Sequence, residues 1–381
     1  MDYNMPKSDT KYWVGFSLIP GVGRARFAKL ESYFSTIEQA WQASHSQLRA
    51  AGLESKVVQE IMDWRPRINL EAEMERLDRI GVAALTWKDA AYPARLKEIY
   101  DCPPLLYTRG QLQPQDEWCL AVVGTRRPTL YGKQVTQELT SELARRGVTI
   151  VSGLARGIDA EAHRTALEAG GRTLAVFACG LDVVYPSEHT SLAQQIISRG
   201  ALISEYPLGT QPKADHFPRR NRIMSGISLG TLVIEAGETS GALITAGRAV
   251  EQNREVFAVP GSILSPASRG TNRLIQDGAK LVRSYTDILE ELNFTARVQP
   301  KPEQLEMKEL LPVDDTESLL LKKLSAQPTH IDEICRNSGL PISVVSSTMA
   351  LLEIKGLVKQ MGAMNYVLAA EARAKYQVKV E

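Results

Sequence analysis

Short apolar runs alternate with helical patterns through the middle of the chain. The first run is CLAVV at 119–123, and the others lie at 148–151, 173–178, 201–205, 231–234, 255–258 and 280–282. Between the first two runs, Val135, Leu139 and Leu143 recur every four residues and form one apolar helix face. Continuous apolar strands separated by helices are typical of a parallel sheet covered on both faces. The pattern predicts a Rossmann-like, doubly wound, mostly parallel α/β domain at 118–293.

The first 82 residues contain only helical patterns. IPGVGRARFAKLESYF at 19–34 places two glycines before a helix and resembles a helix-hairpin-helix motif, whose free amides can face a DNA phosphate. Arg24, Arg26 and Lys29 add positive charge, although the same residues fit a hairpin that only packs. We predict an all-α, helix-hairpin-helix or SAM-like module at 1–82. The proline-containing segment at 83–117 is predicted to be an irregular connector.

The C-terminal part has a different pattern. Prolines and acidic residues among few hydrophobic ones predict a flexible linker at 294–315. Three helical patterns and two short strands then follow in an order that resembles a winged helix, predicted at 316–381. The third helix, which would normally enter a major groove, carries almost no positive charge at Ser343, Ser346, Ser347 and Glu353. We therefore favour a contact with protein over readout of a duplex.

Composition restricts the function classes. The 45 basic and 44 acidic residues give a net charge of +1, so any nucleic-acid site must be local. The four cysteines are scattered, which argues against a zinc site or a disulfide framework and fits a reducing cytoplasm. No apolar run approaches the ~20 residues of a membrane span, and the N-terminus lacks an apolar signal segment. We expect a cytoplasmic protein without a metal or a membrane partner.

Glycines, hydroxyl groups and arginines follow several of the predicted strands. In a doubly wound sheet the carboxyl ends of the strands carry the binding site. Arginines from separate turns can each contact one phosphate, glycine-opened helix N-termini add amide donors, and a phenylalanine offers a face on which a base can stack. The pattern predicts a rim for single-stranded DNA formed by Gly124, Thr125, Arg126, Ser152, Gly153, Arg156, Gly157, Phe217, Arg219, Arg220, Asn221, Arg222, Gly241, Thr271 and Asn272.

Cofactor motifs are missing at these turns. A dinucleotide site requires G-x-G-x-x-G after the first strand and an acid at the end of the second. Here the first turn has one glycine before Gly132, and the second strand ends in Ser152-Gly153. No Walker loop occurs either, so we expect no cofactor and no ATP hydrolysis. For His216 we favour packing or a phosphate contact, and for Glu235 we favour helix capping or an ion pair over catalysis.

Five motifs in order resemble one family. They are GTRRPTLYG, SGLARGIDAEAH, FPRRNRIMSGIS, EAGETSGALITAGRAVEQNREVFAVPG and RGTNRLIQDGA, and together they resemble the DNA processing protein A family (DprA, also called Smf). The resemblance implies a Rossmann-like domain that binds single-stranded DNA, protects incoming strands in natural transformation and helps to load the recombinase RecA. It also implies dimerisation through the central domain and no established catalytic activity. By these motifs the resemblance places the basic rim on Arg126, Arg156, Arg219, Arg220 and Arg222, with Lys213 as a further candidate.

Two other function classes stay open. Enzymes that cleave the glycosidic bond of nucleoside monophosphates have a similar α/β core and use a glycine-rich turn with a glutamate. Glu235 and the turn at 237–241 would be a distorted version of that site. A scaffold that binds no DNA is the third class.

Overall fold

The computed structural model of the chain describes residues 7–293, 314–325, 327–362 and 364–369. The chain divides into two compact units with a boundary near residue 300. The predicted linker at 294–315 lies outside the described residues except for its last two positions. Within the described ranges, no helix is long and apolar enough to cross a membrane.

The first unit begins with helices, as predicted. They are α1 (Lys7–Ser17), α2 (Arg24–Tyr33), α3 (Ile37–Gln42), α4 (His45–Ala50), α5 (Ser55–Trp64) and α6 (Leu70–Arg79). Side-chain caps start α3, α4 and α6, where Thr36, Ser44 and Asn69 each accept a hydrogen bond from a backbone amide in the first turn. The rings of Trp13 and Phe27 stack 5.0 Å apart in the core between these helices.

A nine-stranded sheet forms the centre of this unit. Its strands are β1 (Val82–Thr86), β2 (Leu105–Gly110), β3 (Cys119–Val123), β4 (Thr149–Ser152), β5 (Thr173–Val176), β6 (Ala201–Ser204), β7 (Gly230–Val233), β8 (Glu255–Ala258) and β9 (Lys280–Leu281). Their order in space is β1-β2-β6-β5-β4-β3-β7-β8-β9. All pairs from β6 to β9 are parallel, which confirms the predicted fold. The predicted strand ends differ from these bounds by at most two residues.

The segment at 83–117 corrects the prediction of an irregular connector. It contains most of β1, the short helix α7 (Ala94–Lys97) and all of β2. Strand β2 pairs antiparallel with β6, and β1 pairs antiparallel with β2, so both extend the sheet. Pro93, Pro103 and Pro104, which suggested irregular structure, lie between the strands and leave their hydrogen-bonding ladders intact.

Helices cover both faces of the sheet. One face carries α8 (Leu130–Arg145), α9 (Ile158–Glu168), α10 (Thr190–Arg199), α14 (Tyr285–Glu291) and the N-terminal helices. The other carries α7, α11 (His216–Ile227), α12 (Gly241–Glu251) and α13 (Arg269–Gln276). The N-terminal helices share one hydrophobic core with β2 and α10, and the Ser17 and Tyr107 hydroxyl groups lie 2.7 Å apart across that contact.

The second unit is a winged helix. It consists of α15 (Asp315–Lys323), α16 (Ile331–Ser338), α17 (Ile342–Ile354) and strands β10 (Thr329–His330), β11 (Val358–Gln360) and β12 (Asn365–Leu368). The strands pair in the order β10-β12-β11. Leu320, Ile334 and Val345 are buried in its core, one from each helix. The predicted order of three helices and a C-terminal hairpin is confirmed.

Candidate nucleic-acid interface

A crevice opens at the carboxyl ends of the central strands. The chain builds the sheet from β3 towards β6 and then crosses back to place β7 on the other side of β3. The loops after β3 and β7 therefore diverge, which is where open α/β sheets bind ligands. A cleft of about 400 Å³ lies there, and we call it the main cleft. Of the predicted residues, it is lined by Gly124, Thr125, Arg126, Phe217, Arg220, Asn221 and Gly241.

Glycines allow the loops after β3 and β4 to pack against each other. A Cβ atom at Gly124 would lie 2.6 Å from the Ile158 side chain, and one at Gly157 would overlap the Thr125 carbonyl. Gly157 also has a φ of 80°, in the left-handed region that favours glycine. The Ile158 amide donates to the Thr125 carbonyl at 3.2 Å. These contacts fix the loop that carries Arg126 at the edge of the cleft.

Arg126 extends over an aromatic surface. Its guanidinium carbon lies 5.6 Å from the centre of the Phe217 ring, and the Tyr185 ring lies 5.7 Å from the same ring. Arg126 is exposed, and no carboxylate in the described ranges lies within 4.0 Å of it. A free cation over one ring of an aromatic pair can contact a phosphate, and the rings can stack an unpaired base. Tyr185 was not predicted, although it follows the third predicted strand and its turn.

Arg220 has a different environment from Arg126. It is only 4% exposed, and its Nη1 donates to the Gly153 carbonyl at 2.7 Å and to the Val176 carbonyl. A Cβ atom at Gly153 would overlap this guanidinium. Burial lowers the pKa of Arg220, an effect that nearby Asp159 opposes. Arg220 therefore ties the ends of β4 and β5 together and forms the floor of the main cleft.

Asp159 supports the same loop from the start of α9. Its Oδ2 accepts hydrogen bonds from the backbone amides of Gly153 at 3.2 Å and Ala155 at 3.4 Å. Burial raises the pKa of this carboxyl, while Arg220 and the two amides act in the opposite direction. The backbone amide of the predicted residue Gly153 donates to Asp159, and its carbonyl accepts from Arg220. The backbone of Gly153 therefore stabilises the loop beneath the cleft.

Four predicted residues lie outside the main cleft, where their polar groups have intramolecular partners. Arg222 pairs with Asp101 at 3.3 Å and with Glu205. The Ser152 hydroxyl donates to the Val122 carbonyl at 2.6 Å, and that of Thr271 donates to the Ser268 carbonyl at 3.1 Å. Asn272 bonds both backbone groups of Gly261. Helix geometry explains why Arg222 lies outside the cleft, because neighbouring residues on α11 project about 100° apart and cannot all face one cleft.

Three further predicted cations are exposed and also lie outside the main cleft. Lys213 precedes α11, and Arg219 on that helix lies 3.8 Å from Asp215, the residue before it. Arg156 donates to Glu188 at 2.6 and 2.8 Å, and this pairing lowers the pKa of Glu188. Arg156 and Gly157 line a second groove of about 250 Å³, which we call the side groove. Its other charged lining residues are Arg126, Lys133, Glu161 and Arg164.

Glu235 and His216 both make structural contacts within the protein. The Glu235 carboxylate is buried and accepts from the Thr129 amide at 2.9 Å and from its hydroxyl at 2.5 Å, which holds the N-cap residue of α8 in place. The His216 Nδ1 lies 3.1 Å from the Ala178 carbonyl, and its ring stacks on Tyr206 at 4.2 Å. Neither residue lines the main cleft.

The N-terminal hairpin offers fewer free cations than its sequence suggests. The Arg24 guanidinium donates to the Ile99 carbonyl at 2.9 Å. Arg26 donates to Glu54 at 3.2 Å and to the Gly21 carbonyl at 2.8 Å. Lys29 donates to the Gly52 carbonyl at 2.7 Å. These contacts fit the interpretation in which the hairpin packs within the protein.

Known proteins resemble this chain over most of its length. The family model described as DNA recombination-mediator protein A matches residues 83–293, more than half of the chain, and the DprA winged helix domain model matches 300–364. Protein Smf from Synechocystis is 36% identical over 95% of this chain and 99% of its own length.

Two solved structures are also similar. DNA processing protein A from Streptococcus pneumoniae has a TM-score of 0.64 at 36% identity and covers 74% of this chain and 97% of its own. The protein from Helicobacter pylori, described with a unique single-stranded DNA binding mode, has a TM-score of 0.51 at 31% identity. It covers 56% of this chain and 96% of its own. The chain belongs to the DNA recombination-mediator protein A family, whose relatives are named DprA and Smf.

Proposed function

We propose that the protein binds single-stranded DNA in the main cleft. Arg126 contacts a phosphate, and an unpaired base stacks on Phe217 and Tyr185. The observation that carries the proposal is the position of Arg126, which lies over Phe217 at the topological switch point. The single-stranded DNA binding mode described for the Helicobacter pylori relative supports it.

The shape of the site favours a single strand over a duplex. Phe217 and Arg126 line a concave cleft, whereas readout of a duplex requires an element that projects into a groove. Stacking on an aromatic ring also needs a base that has left its own stack. A paired strand would present only its phosphates to Arg126 and would leave Phe217 without a partner.

Backbone groups complete the proposed site. The N-terminus of α12 at Gly241 opens into the main cleft, and a Cβ atom at Gly241 would meet no neighbour within 4 Å. Helix N-termini attract anions, so a second phosphate can approach the chain closely there. Asn221 lies beside it, with its amide nitrogen 3.5 Å from the Gly241 carbonyl.

We further propose that the protein acts on DNA in the cytoplasm, as the resemblance to its family implies. In this role it protects incoming strands during natural transformation and helps to load the recombinase RecA onto them. It would act as a homodimer formed through the central domain. Its cysteines are free thiols in the structure, which fits a reducing compartment.

We propose binding rather than turnover. Nucleoside-monophosphate glycosidase chemistry would need the Glu235 carboxylate to reach a substrate, and both of its oxygens are occupied in the cap of α8. The carboxylate that does line the main cleft, Asp159, holds two backbone amides. Incubation with nucleoside monophosphates should release no free base. Release that is lost in Glu235→Gln or Asp159→Asn would overturn this part of the proposal.

A gel shift with single- and double-stranded oligonucleotides over a salt series tests the proposed function. We expect the protein to prefer the single strand and its affinity to fall steeply as salt rises, because bound phosphates release counterions. Equal binding to both forms, or binding to neither, would contradict the proposal. A DNA-free scaffold would bind neither form at any salt concentration.

A further inference from the structure

We propose that a strand held in the main cleft continues across the side groove, where Lys133 and Arg164 contact its phosphates. Neither residue was among those predicted from the sequence. The inference rests on the proposed function, because it concerns the path of the same DNA strand. It extends the site from one stacking cleft to a cleft followed by a phosphate track.

The two depressions adjoin each other. Arg126 lines both of them. The loop after β4 and the first turn of α9 separate them, since Ala155 and Asp159 line the main cleft while Arg156 and Gly157 line the side groove. A backbone that contacts Arg126 on one side of this loop can therefore continue directly on the other side.

The side groove has an excess of positive charge. Its cations come from separate elements: Arg126 from the loop after β3, Lys133 from α8, Arg156 from the loop after β4 and Arg164 from α9. Glu161 is the one carboxylate that lines it within the described ranges, and it lies 3.7 Å from Arg164. Lys133 is exposed and has no carboxylate within 4.0 Å in the described part of the chain.

The ion pairs already present would not block a phosphate. The Arg156–Glu188 and Arg164–Glu161 pairs both involve a cation that is about half exposed to solvent. Exposed ion pairs hold their partners weakly, so an incoming phosphate can compete for each guanidinium. Lys133 can bind a phosphate without losing any existing carboxylate contact.

The chemistry of the lining identifies the ligand class. Among the residues that the structure describes, no phenylalanine, tyrosine or tryptophan lines the side groove, whereas Phe217 lines the main cleft. His189 is buried there, with Nδ1 2.8 Å from the Leu154 carbonyl. A groove with cations and no aromatic face binds the phosphodiester backbone and leaves the bases unread.

Oligothymidylates of two lengths separate the two parts of the site. A strand of about six nucleotides would occupy the main cleft, and one of about 20 would also reach the side groove. For Lys133→Ala/Arg164→Ala we expect about tenfold weaker binding of the long strand, and a salt slope lower by about 1.4 from two lost contacts. Binding of the short strand should stay within about twofold of wild type.

A second double variant controls for the loss of two charges. Arg145 lies on α8 about 18 Å along the helix from Lys133. Arg273 forms an exposed pair with Asp277 at 3.6 Å, similar to the pair that Arg164 forms. Arg145→Ala/Arg273→Ala should bind both strands as wild type does. The charge-conserving variant Lys133→Arg/Arg164→Lys should bind the long strand as wild type does.

The outcomes distinguish the two proposals. Loss confined to the long strand, with rescue by the charge-conserving variant, supports the phosphate track. Equal loss of binding for both lengths, or unchanged binding of both lengths by the double variant, overturns the phosphate track. In either case the proposed function stands if the wild-type protein binds the short strand. If wild-type protein binds neither length, both proposals are wrong.

Discussion

The N-terminal hairpin and the loop after β3 have similar sequences and different cation environments. PGVGRAR at 20–26 and GTRRP at 124–128 each place two arginines within three residues after a glycine. In the hairpin, Arg26 is bonded to Glu54 and to a backbone carbonyl, whereas Arg126 is free of carboxylates and lies over Phe217. A glycine-arginine motif supplies charge, but the fold around it decides whether that charge can bind a ligand.

The surroundings of the two segments explain the difference. The hairpin packs beside the turn between α4 and α5, where the Gly52 carbonyl and the Glu54 carboxylate accept from its cations. The loop after β3 lies at the switch point, where the chain departs in opposite directions and leaves a cleft instead of a neighbouring turn. The comparison predicts that substitution of a buried cation has the largest effect, substitution of a free cation a smaller one, and substitution of a paired surface cation the smallest.

The largest effect is expected for Arg220→Ala. The substitution leaves the Gly153 and Val176 carbonyls without their donor in the interior. We expect the free energy of unfolding to fall by about 3 kcal/mol, since each buried unpaired group costs about 1–3 kcal/mol. Urea unfolding followed by tryptophan fluorescence measures it in the first unit, because all five tryptophans precede residue 119.

Arg219→Ala is the matched control on the same helix. Arg219 is exposed, and its contact with Asp215 is long at 3.8 Å. The unfolding midpoint of this variant should equal that of wild type. If Arg220→Ala were equally neutral, the interpretation of Arg220 as a buried support would be wrong, and it would return to the set of phosphate contacts predicted from the sequence.

Phe217→Ala should produce the largest loss of DNA binding. Stacking of one base on an aromatic side chain contributes about 1–3 kcal/mol, so we expect about 30-fold weaker binding of a single strand. The salt slope should stay unchanged because no charge is removed. Fluorescence anisotropy at several salt concentrations measures both quantities. Phe217→Tyr retains the ring and should bind within about twofold of wild type.

Arg126→Ala should have a smaller effect of a different kind. We expect about tenfold weaker binding at low salt and a salt slope lower by about 0.7, the value for one phosphate contact with a single strand. Arg127→Ala is the control, because Arg127 is the exposed neighbour and lines neither the main cleft nor the side groove. An unchanged slope in Arg126→Ala would remove Arg126 from the phosphate contacts.

The fold was largely predictable because buried parallel strands appear in the sequence as continuous apolar runs. CLAVV at 119–123 is buried at every position, and both of its ends were predicted correctly. Strands β1 and β2 were missed because Pro93, Pro103 and Pro104 suggested irregular structure in that segment. Strand β1 does contain an apolar run, VAAL at 82–85, although three of its five residues are not buried.

The site was predictable in location but not in the role of each residue. Binding sites of doubly wound sheets lie at the carboxyl ends of the strands, and this rule placed Arg126 and Phe217 at the cleft. The position of the cleft depends only on topology. The separation of Arg219, Arg220 and Arg222 depends on which side of α11 each faces and on acceptors such as Glu205, which lie elsewhere in the chain. Lys133 could not be predicted as a phosphate contact from the sequence, since a lone lysine at the start of a helix is common on protein surfaces.

The smallest effect on DNA binding is expected for Arg26→Ala/Lys29→Ala, which removes two cations from the hairpin. Both side chains already donate to Glu54 or to backbone carbonyls of their own unit. Because a phosphate would have to displace those partners, binding of a single strand should stay within about twofold of wild type and the salt slope should not change. The same anisotropy titration used for Arg126→Ala measures this. A slope lower by about 1.4 would mean that the hairpin cations do contact phosphates and exchange their intramolecular partners for DNA. The contrast between the hairpin and the loop after β3 would then fail, and the two segments would be parts of one DNA-binding surface.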